Sequence, residues 1–160
     1  MNIVERSVSA GGRAVFELDE FLSRPLYAHL AHNSEQGPRE SPVWFHWDGQ
    51  AVWIIGGTSF PANLRRDPRC ALGIVDWDPA TGLSHHVGMR GRAEVLPFDP
   101  APARTIFRKY FGPDEAEWDP RFGDVFDGSA KLELVRFVPD TVVLRDQSYR
   151  PTQWAKKHGS

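Results

Sequence analysis

The groups best suited to bind an anion lie in residues 56–68, GGTSFPANLRRDP. Two glycines end an apolar run, the hydroxyl residues Thr58 and Ser59 follow, and Arg65 and Arg66 close the segment. Either hydroxyl can cap a helix, and the free N–H groups of a helix start can then bind phosphate oxygens together with an arginine. The segment equally suits an ordinary surface helix, because arginines in the last turn complement the helix dipole. The local pattern leaves both interpretations open.

Other motifs of catalysis are missing from the sequence. The segment has no Walker lysine and no G-x-G-x-x-G, which excludes nucleoside triphosphate and Rossmann-type sites. There is no G-x-S-x-G, and Cys70 lies in a run that predicts a buried strand, so nothing indicates nucleophilic catalysis. Since Cys70 is the one cysteine of the chain, an internal disulfide framework and a cysteine-rich zinc site are also excluded.

The histidines do not form a metal motif. His85 and His86 are adjacent, and neighbours on a strand point to opposite faces, so they are poor joint ligands. No H-E-x-x-H pattern is present, and we expect no metal site. Haem with a single axial histidine stays possible, because one ligand leaves no spacing to recognise.

Six tryptophans are many for a chain of 160 residues. Trp44, Trp47 and Trp53 fall in one predicted hairpin, and Trp77 falls in the next strand. These side chains can fill a barrel and a subunit interface, or they can line a slot for a planar ring system.

A second group of arginines surrounds a glycine in residues 89–92, MRGR. Alternation along a strand puts Arg90 and Arg92 on the same side, and Gly91 between them permits a close approach by a ligand or another backbone. The arginines are either charges of an edge strand or contacts for an anionic ligand.

Composition predicts one soluble domain spanning residues 1–160. Nineteen Lys and Arg against twenty-one Asp and Glu give no indication of nucleic-acid binding. The beginning of the chain, MNIVERSVSAGGR, lacks the pattern of a secretory signal, and no apolar run approaches the roughly 20 residues of a membrane helix. We therefore expect a cytoplasmic protein with no membrane partner.

Periodicity predicts a mainly β chain decorated by helices. The Asp48-Gly49 pair between two apolar runs is the strongest hairpin signal. Helices are expected at residues 16–23 and after Asp99-Pro100, where one face would hold Ala103, Ile106, Phe107, Tyr110 and Phe111 until Gly112-Pro113 ends the helix. Strands are expected at residues 26–32, 40–47, 50–55, 69–77, 84–96, 131–138 and 141–145, with Pro139-Asp140 interrupting the last two. This order favours a closed or nearly closed antiparallel barrel.

With these elements in order, the chain resembles the pyridoxamine 5′-phosphate oxidase-like family of FMN-binding split barrels. The resemblance covers residues 26–98 and is carried by SPVWF at 41–45, DG at 48–49, VWII at 52–55, NLRRDPR at 63–69 and GMRGRAEV at 88–95. It implies a six-stranded antiparallel split β-barrel of Greek-key type, with its core at about 26–145 and FMN between the two subunits of a homodimer. It further implies that Val43, Trp44 and Phe45 lie near the flavin ring and that Thr58, Ser59 and Asn63 lie near the phosphate. The residues that it assigns to cofactor binding are Val43, Trp44, Phe45, Ile55, Thr58, Ser59, Asn63, Leu64, Arg65 and Arg90.

The chain departs from the family pattern in two places. Family members commonly carry a basic residue before the asparagine-leucine pair, where this chain has Phe60-Pro61-Ala62. Phosphate would then have to be met by N–H groups, by Arg65 or Arg66, or by an arginine of the partner subunit. The arginine-histidine signature of true pyridoxamine phosphate oxidases is not evident in residues 145–149, RDQSY, so we do not expect that activity.

The resemblance implies an FMN-binding protein that acts as a flavin-dependent oxidoreductase on an unknown small molecule. The alternatives are a flavin- or haem-binding protein without turnover, a deazaflavin-dependent reductase, and a dimeric barrel that has lost its cofactor.

Overall fold

The structure, a computed structural model, describes residues 1–7 and 16–159. Its strands are β1 (Asn2–Ser7), β2 (Ala28–Ser34), β3 (Gly37–Val43), β4 (Phe45–Trp47), β5 (Val52–Gly56), β6 (Arg69–Asp78), β7 (Leu83–Pro97) and β8 (Glu133–Asp146). Its helices are α1 (Leu18–Ser23), α2 (Ser59–Arg66), α3 (Pro100–Phe111), α4 (Gly123–Asp127) and α5 (Gln153–His158), with short 3-10 turns at Glu115–Glu117 and Pro120–Phe122.

The strands form a single sheet in the order β3-β2-β6-β7-β8-β5-β4, and β1 lies parallel beside β8. Its two ends, β3 and β4, are separated along the chain by Trp44 alone. The sheet is thus closed by continuous chain. The sequence predicted one strand over residues 40–47, which is wrong at Trp44, because β3 pairs with β2 whereas β4 pairs with β5.

The strands β7 and β8 form a long antiparallel pair that bends at a β-bulge. Arg90 pairs with Thr141 and Gly91 pairs with Pro139, which leaves Asp140 as the extra residue of the bulge. The predicted break at Pro139-Asp140 is therefore wrong: β8 continues, and proline is tolerated at a bulge because it needs no ladder N–H. A Cβ on Gly91 would overlap the carbonyl oxygen of Val138, which explains the glycine.

The inward side chains of the barrel form one apolar core. Its largest fully buried members include Phe45, Phe137, Leu30 and Met89, and burying each such side chain contributes about 1.5–3 kcal/mol. The helix α3 packs outside the strands with Ala103, Ile106 and Phe107 buried, as its predicted face required.

The predicted class is confirmed, while the number of strands is not six: the described residues contain eight strands in one sheet. The two unpredicted elements at the ends are β1, which pairs with distant β8, and the short α5. Among the helices of the described ranges, none has both the length and the apolar character needed to cross a membrane.

Candidate functional site

The break at Trp44 is held by two neighbouring side chains of α3. The N–H of Phe45 donates to the hydroxyl of Tyr110 at 3.2 Å, and that hydroxyl donates to the carbonyl of Leu26 at 2.7 Å. Lys109 donates from Nζ to the carbonyls of Phe45 at 3.1 Å and Leu22 at 2.7 Å. Side chains thus satisfy the backbone groups of Phe45 where the chain changes its strand partner.

The ring of Trp44 is fixed by the same helix. It stacks on Tyr110 with ring centroids 5.2 Å apart and meets Phe111 edge-on at 5.1 Å. Phe107 and Phe122 also approach it edge-on, at 6.0 and 5.7 Å. Offset and edge-to-face contacts are the favoured arrangements of aromatic pairs, so the indole is held on several sides.

An apolar cavity of about 490 Å³ opens beside this ring. One side, here named the strand wall, consists of Pro42, Val43, Trp44 and Ile55. A second part of the lining, here named the helix wall, consists of Ile106, Phe107, Phe122, Val125 and Leu132. Tyr27 and Phe60 complete the lining, in which the described residues provide no charged side chain. Such a cavity favours a flat, uncharged group.

A polar cavity of about 510 Å³ lies at the start of α2. Thr58 occupies the N-cap position, but its side chain caps no N–H of the helix, and Ser59 begins the helix. Within the described ranges, neither hydroxyl has a hydrogen-bond partner. The first N–H groups of a helix have no intrahelical acceptor, so donors of two kinds converge here. Asn63, Arg39 and Arg66 also line this cavity.

The two adjacent arginines of α2 lie in different surroundings. Arg65 forms an ion pair with Glu133 and does not line the polar cavity. Arg66 does line it, where its guanidinium lies 2.8 Å from the exposed carboxylate of Glu35. An anion in this cavity would therefore meet Arg66 and not Arg65.

Arg39 is the second cation of the polar cavity. It lies on β3 and has no carboxylate partner among the described residues. Its cross-strand partner is His32, which is buried and has an unpartnered Nδ1. Burial lowers the pKa of His32, and the positive charge of Arg39 lowers it further. A neutral imidazole beside it leaves the charge of Arg39 available to an anion.

Both cavities lie along β3. Arg39 and Val43 are four residues apart on one face of that strand, which corresponds to about 13 Å. Of residues 60–62, which stand where a basic residue was expected, Phe60 is 8% exposed and lines the apolar cavity, whereas Ala62 lines the polar cavity. A Cβ on Gly56 would lie 2.5 Å from Pro61, so glycine lets α2 start close to β5.

The structure groups most of the ten assigned residues but not all. Val43, Trp44 and Ile55 line the apolar cavity, and Thr58, Ser59 and Asn63 line the polar cavity.

Four assigned residues lie elsewhere. Phe45 and Leu64 belong to the core, being 0% and 1% exposed. Arg65 is paired with Glu133, and Arg90 lies on the outer face of the sheet in a separate hollow of about 470 Å³ that also contains His86 and Arg145.

Sequence reasoning missed Arg39 in the polar cavity and the whole helix wall. Arg39 could have been found by alternation, since Arg39, Ser41 and Val43 share a face once the strand is begun at Gly37. No comparable local signal exists for the helix wall, because its side chains come from α3, the 3-10 turn Pro120–Phe122, α4 and the segment before β8.

Solved structures with the same fold were found. A conserved hypothetical protein from Mycobacterium tuberculosis is 23% identical with a TM-score of 0.66, over 83% of this chain and 84% of that one. An F420 reductase is 24% identical with a TM-score of 0.60, over 81% of this chain and 98% of the other. A flavocytochrome from Azotobacter vinelandii is 16% identical with a TM-score of 0.63, over 88% and 72%.

A candidate pyridoxamine 5′-phosphate oxidase from Listeria innocua matches with a TM-score of 0.55 and 17% identity, over 80% of this chain and 98% of that chain. The chain therefore has the split-barrel fold of the pyridoxamine 5′-phosphate oxidase-like proteins, as the sequence predicted. No family model and no curated protein matches it.

Proposed function

We propose that this chain binds FMN along β3 and acts as a flavin-dependent oxidoreductase on a small molecule. The flavin ring would lie against the strand wall of the apolar cavity, and the phosphate would lie in the polar cavity. When bound, FMN supplies hydride or electron transfer, while the protein provides position, electrostatics and exclusion of water.

The observation that carries this proposal is that two cavities of opposite character share one edge strand. One is apolar and flanked by a fixed indole, and the other collects hydroxyls, helix N–H groups and two arginines. An FMN molecule has the matching parts, a planar ring system at one end and a phosphate at the other. An apolar cavity alone, or an arginine alone, would not specify such a ligand.

The residues present fit the charge of the phosphate group. Arg39 and Arg66 offer charge-assisted hydrogen bonds, and Thr58 and Ser59 offer neutral ones. Glu35 opposes them at the rim, but its exposed pairing with Arg66 is weak and can be exchanged for a phosphate contact. Because residues 60–62 carry no cation, the cationic role falls to Arg39 on β3 and to Arg66 in the last turn of α2.

Proteins with this fold include an F420 reductase and a flavocytochrome. This supports a flavin-type cofactor for the present chain. The F420 reductase makes a deazaflavin the second candidate, because it matches over 98% of its own length. Both cofactors would present a flat tricyclic ring to the strand wall and a phosphate to the polar cavity. A spectrum of the cofactor released on denaturation distinguishes them.

The side chains that line the apolar cavity would hold the flavin ring in place and exclude water from it. They would not transfer protons. Among the described residues, the Tyr27 hydroxyl is the one titratable group of its lining, and Tyr27 is half exposed. Hydride transfer at a flavin does not require an acid or base from the protein. We therefore assign no catalytic acid or base.

The proposal includes a homodimer in which a second copy covers the outer face of the sheet. That face exposes Val75 and Trp77 on β6. Its centre, at Gly73 and Gly88, is the hollow that Arg90 also lines. Sedimentation of the purified protein tests the dimer, and a monomer at all concentrations would contradict it.

The experiment that tests the cofactor is the visible spectrum of purified protein, followed by titration with FMN. Flavin bands that appear on release support the proposal, whereas a haem Soret band favours the haem alternative. A colourless protein that does not bind added FMN would overturn the proposal. Anaerobic bleaching by NADH or NADPH then tests turnover.

A further inference from the structure

We infer that the helix wall of the apolar cavity binds an uncharged, planar aromatic substrate. This inference rests on the proposed function, which assigns only the strand wall to the flavin ring. The helix wall is then the part of the lining that remains for a reacting molecule. Its lining therefore decides the class of substrate.

The first argument is charge. Ile106, Phe107, Phe122, Val125 and Leu132 form a wall without a hydrogen-bonding side chain. An ionised carboxylate or ammonium placed there would lose its hydration and gain no partner, which is strongly unfavourable. A charged substrate is therefore rejected.

The second argument concerns the two arginines that lie over aromatic rings beside this wall. Arg104 lies over the ring of Phe126 at 4.7 Å and pairs with Glu115 at 3.2 Å. Arg121 lies over Phe122 at 4.7 Å and pairs with Asp119 at 3.2 Å. Neither guanidinium lines the apolar cavity, so neither offers an anionic substrate a partner there.

The third argument is shape. Five of the side chains that line this space are aromatic, namely Tyr27, Trp44, Phe60, Phe107 and Phe122. A flat aromatic ring in that space gains both stacking and edge contacts, whereas a flexible alkyl chain gains burial alone. The two walls 42–44 and 106–107 are tied together through Lys109 and Tyr110, which keeps the space fixed.

Calorimetric titration with methyl 2-naphthoate and with the anion 2-naphthoate compares one ring in two charge states. We expect the ester to bind the FMN-loaded protein at least about tenfold more tightly than the anion, because the wall offers no partner to a charge. Equal affinities, or loss of ester binding when FMN is present, would overturn the inference. Failure of FMN itself to bind would instead count against the proposed function.

Two lysine substitutions on α4 localise the effect. Val125→Lys places an ammonium in the helix wall, whereas Asp124→Lys places one on the neighbouring exposed position. We expect Val125→Lys to lower ester affinity about tenfold and to raise that of 2-naphthoate, with FMN affinity unchanged and Asp124→Lys similar to wild type. Circular dichroism confirms folding. Equal behaviour of the two variants would contradict the assignment to the helix wall.

Discussion

The Nζ of Lys109 lies 3.1 Å from the carbonyl oxygen of Phe45, immediately after the point where the chain passes from one edge of the sheet to the other. The same Nζ lies 3.4 Å from the centroid of the Phe45 ring. One side chain of α3 therefore holds both the backbone and the ring of a barrel residue. The position of Trp44, and with it the strand wall, depends on this contact.

Replacing Lys109 by methionine keeps the apolar stem and removes the donor. Two carbonyl groups, of Leu22 and Phe45, lose their partner, so we expect the free energy of unfolding to fall by about 1–3 kcal/mol. Urea unfolding measures the change. Lys131→Met, at an exposed position, is the matched control, and an equal effect of both substitutions would show that the contacts of Lys109 contribute nothing.

The stability contributed by Lys109 depends on pH. Burial lowers the pKa of Lys109 from 10.5 to about 7. Between these values the unfolded chain binds the additional proton, so the free energy of unfolding rises with pH in this range and falls as the pH drops toward the lower value.

Unfolding of wild type and Lys109→Met at about pH 7 and about pH 9 tests this dependence. We expect the rise in stability with pH to be smaller in the variant. The pKa of neighbouring His46 is lowered, first by burial and then by Lys109, so this histidine titrates below the range. Parallel pH profiles of the two proteins would contradict the prediction.

Arg39→Ala tests the cation that sequence reasoning missed. Loss of a charge-assisted hydrogen bond costs about 1.5–3 kcal/mol, so we expect FMN affinity to fall about tenfold to a hundredfold. Riboflavin, which lacks the phosphate, should bind with unchanged affinity. The control is Arg69→Ala, because Arg69 is held by Asp67 outside the polar cavity. Equal weakening of FMN and riboflavin would place the phosphate elsewhere.

Ser59→Ala tests the hydroxyl at the start of α2. A neutral hydrogen bond contributes about 0.5–1.5 kcal/mol, so FMN should bind more weakly by up to about tenfold while riboflavin is unaffected. Fluorescence titration of both ligands measures the difference. Thr81→Val, in the distant turn before β7, is the control, and an FMN affinity equal to that of wild type would remove Ser59 from the site.

Gly91→Ala tests the bulge. The added methyl would overlap the carbonyl oxygen of Val138, so we expect destabilisation by about 1–3 kcal/mol through forced movement of β8. Gly57→Ala is the matched control, because nothing lies within 4 Å of its Cβ position. Thermal unfolding compares the two, and equal melting temperatures would show that β8 adapts without cost.

The parts of the fold that depend on residues adjacent in the sequence were predictable. The Asp48-Gly49 turn and the capped start of α3 at Asp99 follow from local backbone chemistry, and both are found. The change of partner at Trp44 was not predictable, because it depends on which distant strands lie at each side. The pairing of β1 with β8 is missed for the same reason.

The candidate site shows the same limit. Sequence reasoning pointed to the start of α2, but it could not distinguish Arg65 from Arg66, because successive helix residues point about 100° apart and only the position of Glu133 decides. The helix wall depends on how α3 and α4 lie over the barrel, which no spacing within either helix specifies.

The one-residue link between β3 and β4 also restricts how the length of the chain can vary. Val43 and Phe45 both face the core, with Trp44 outside. Because side chains alternate, adding or deleting one residue here would turn either Val43 or Phe45 away from the core. Length differences among natural variants should therefore accumulate at the Asp48-Gly49 turn and not at this link, although both lie at the edge of the sheet.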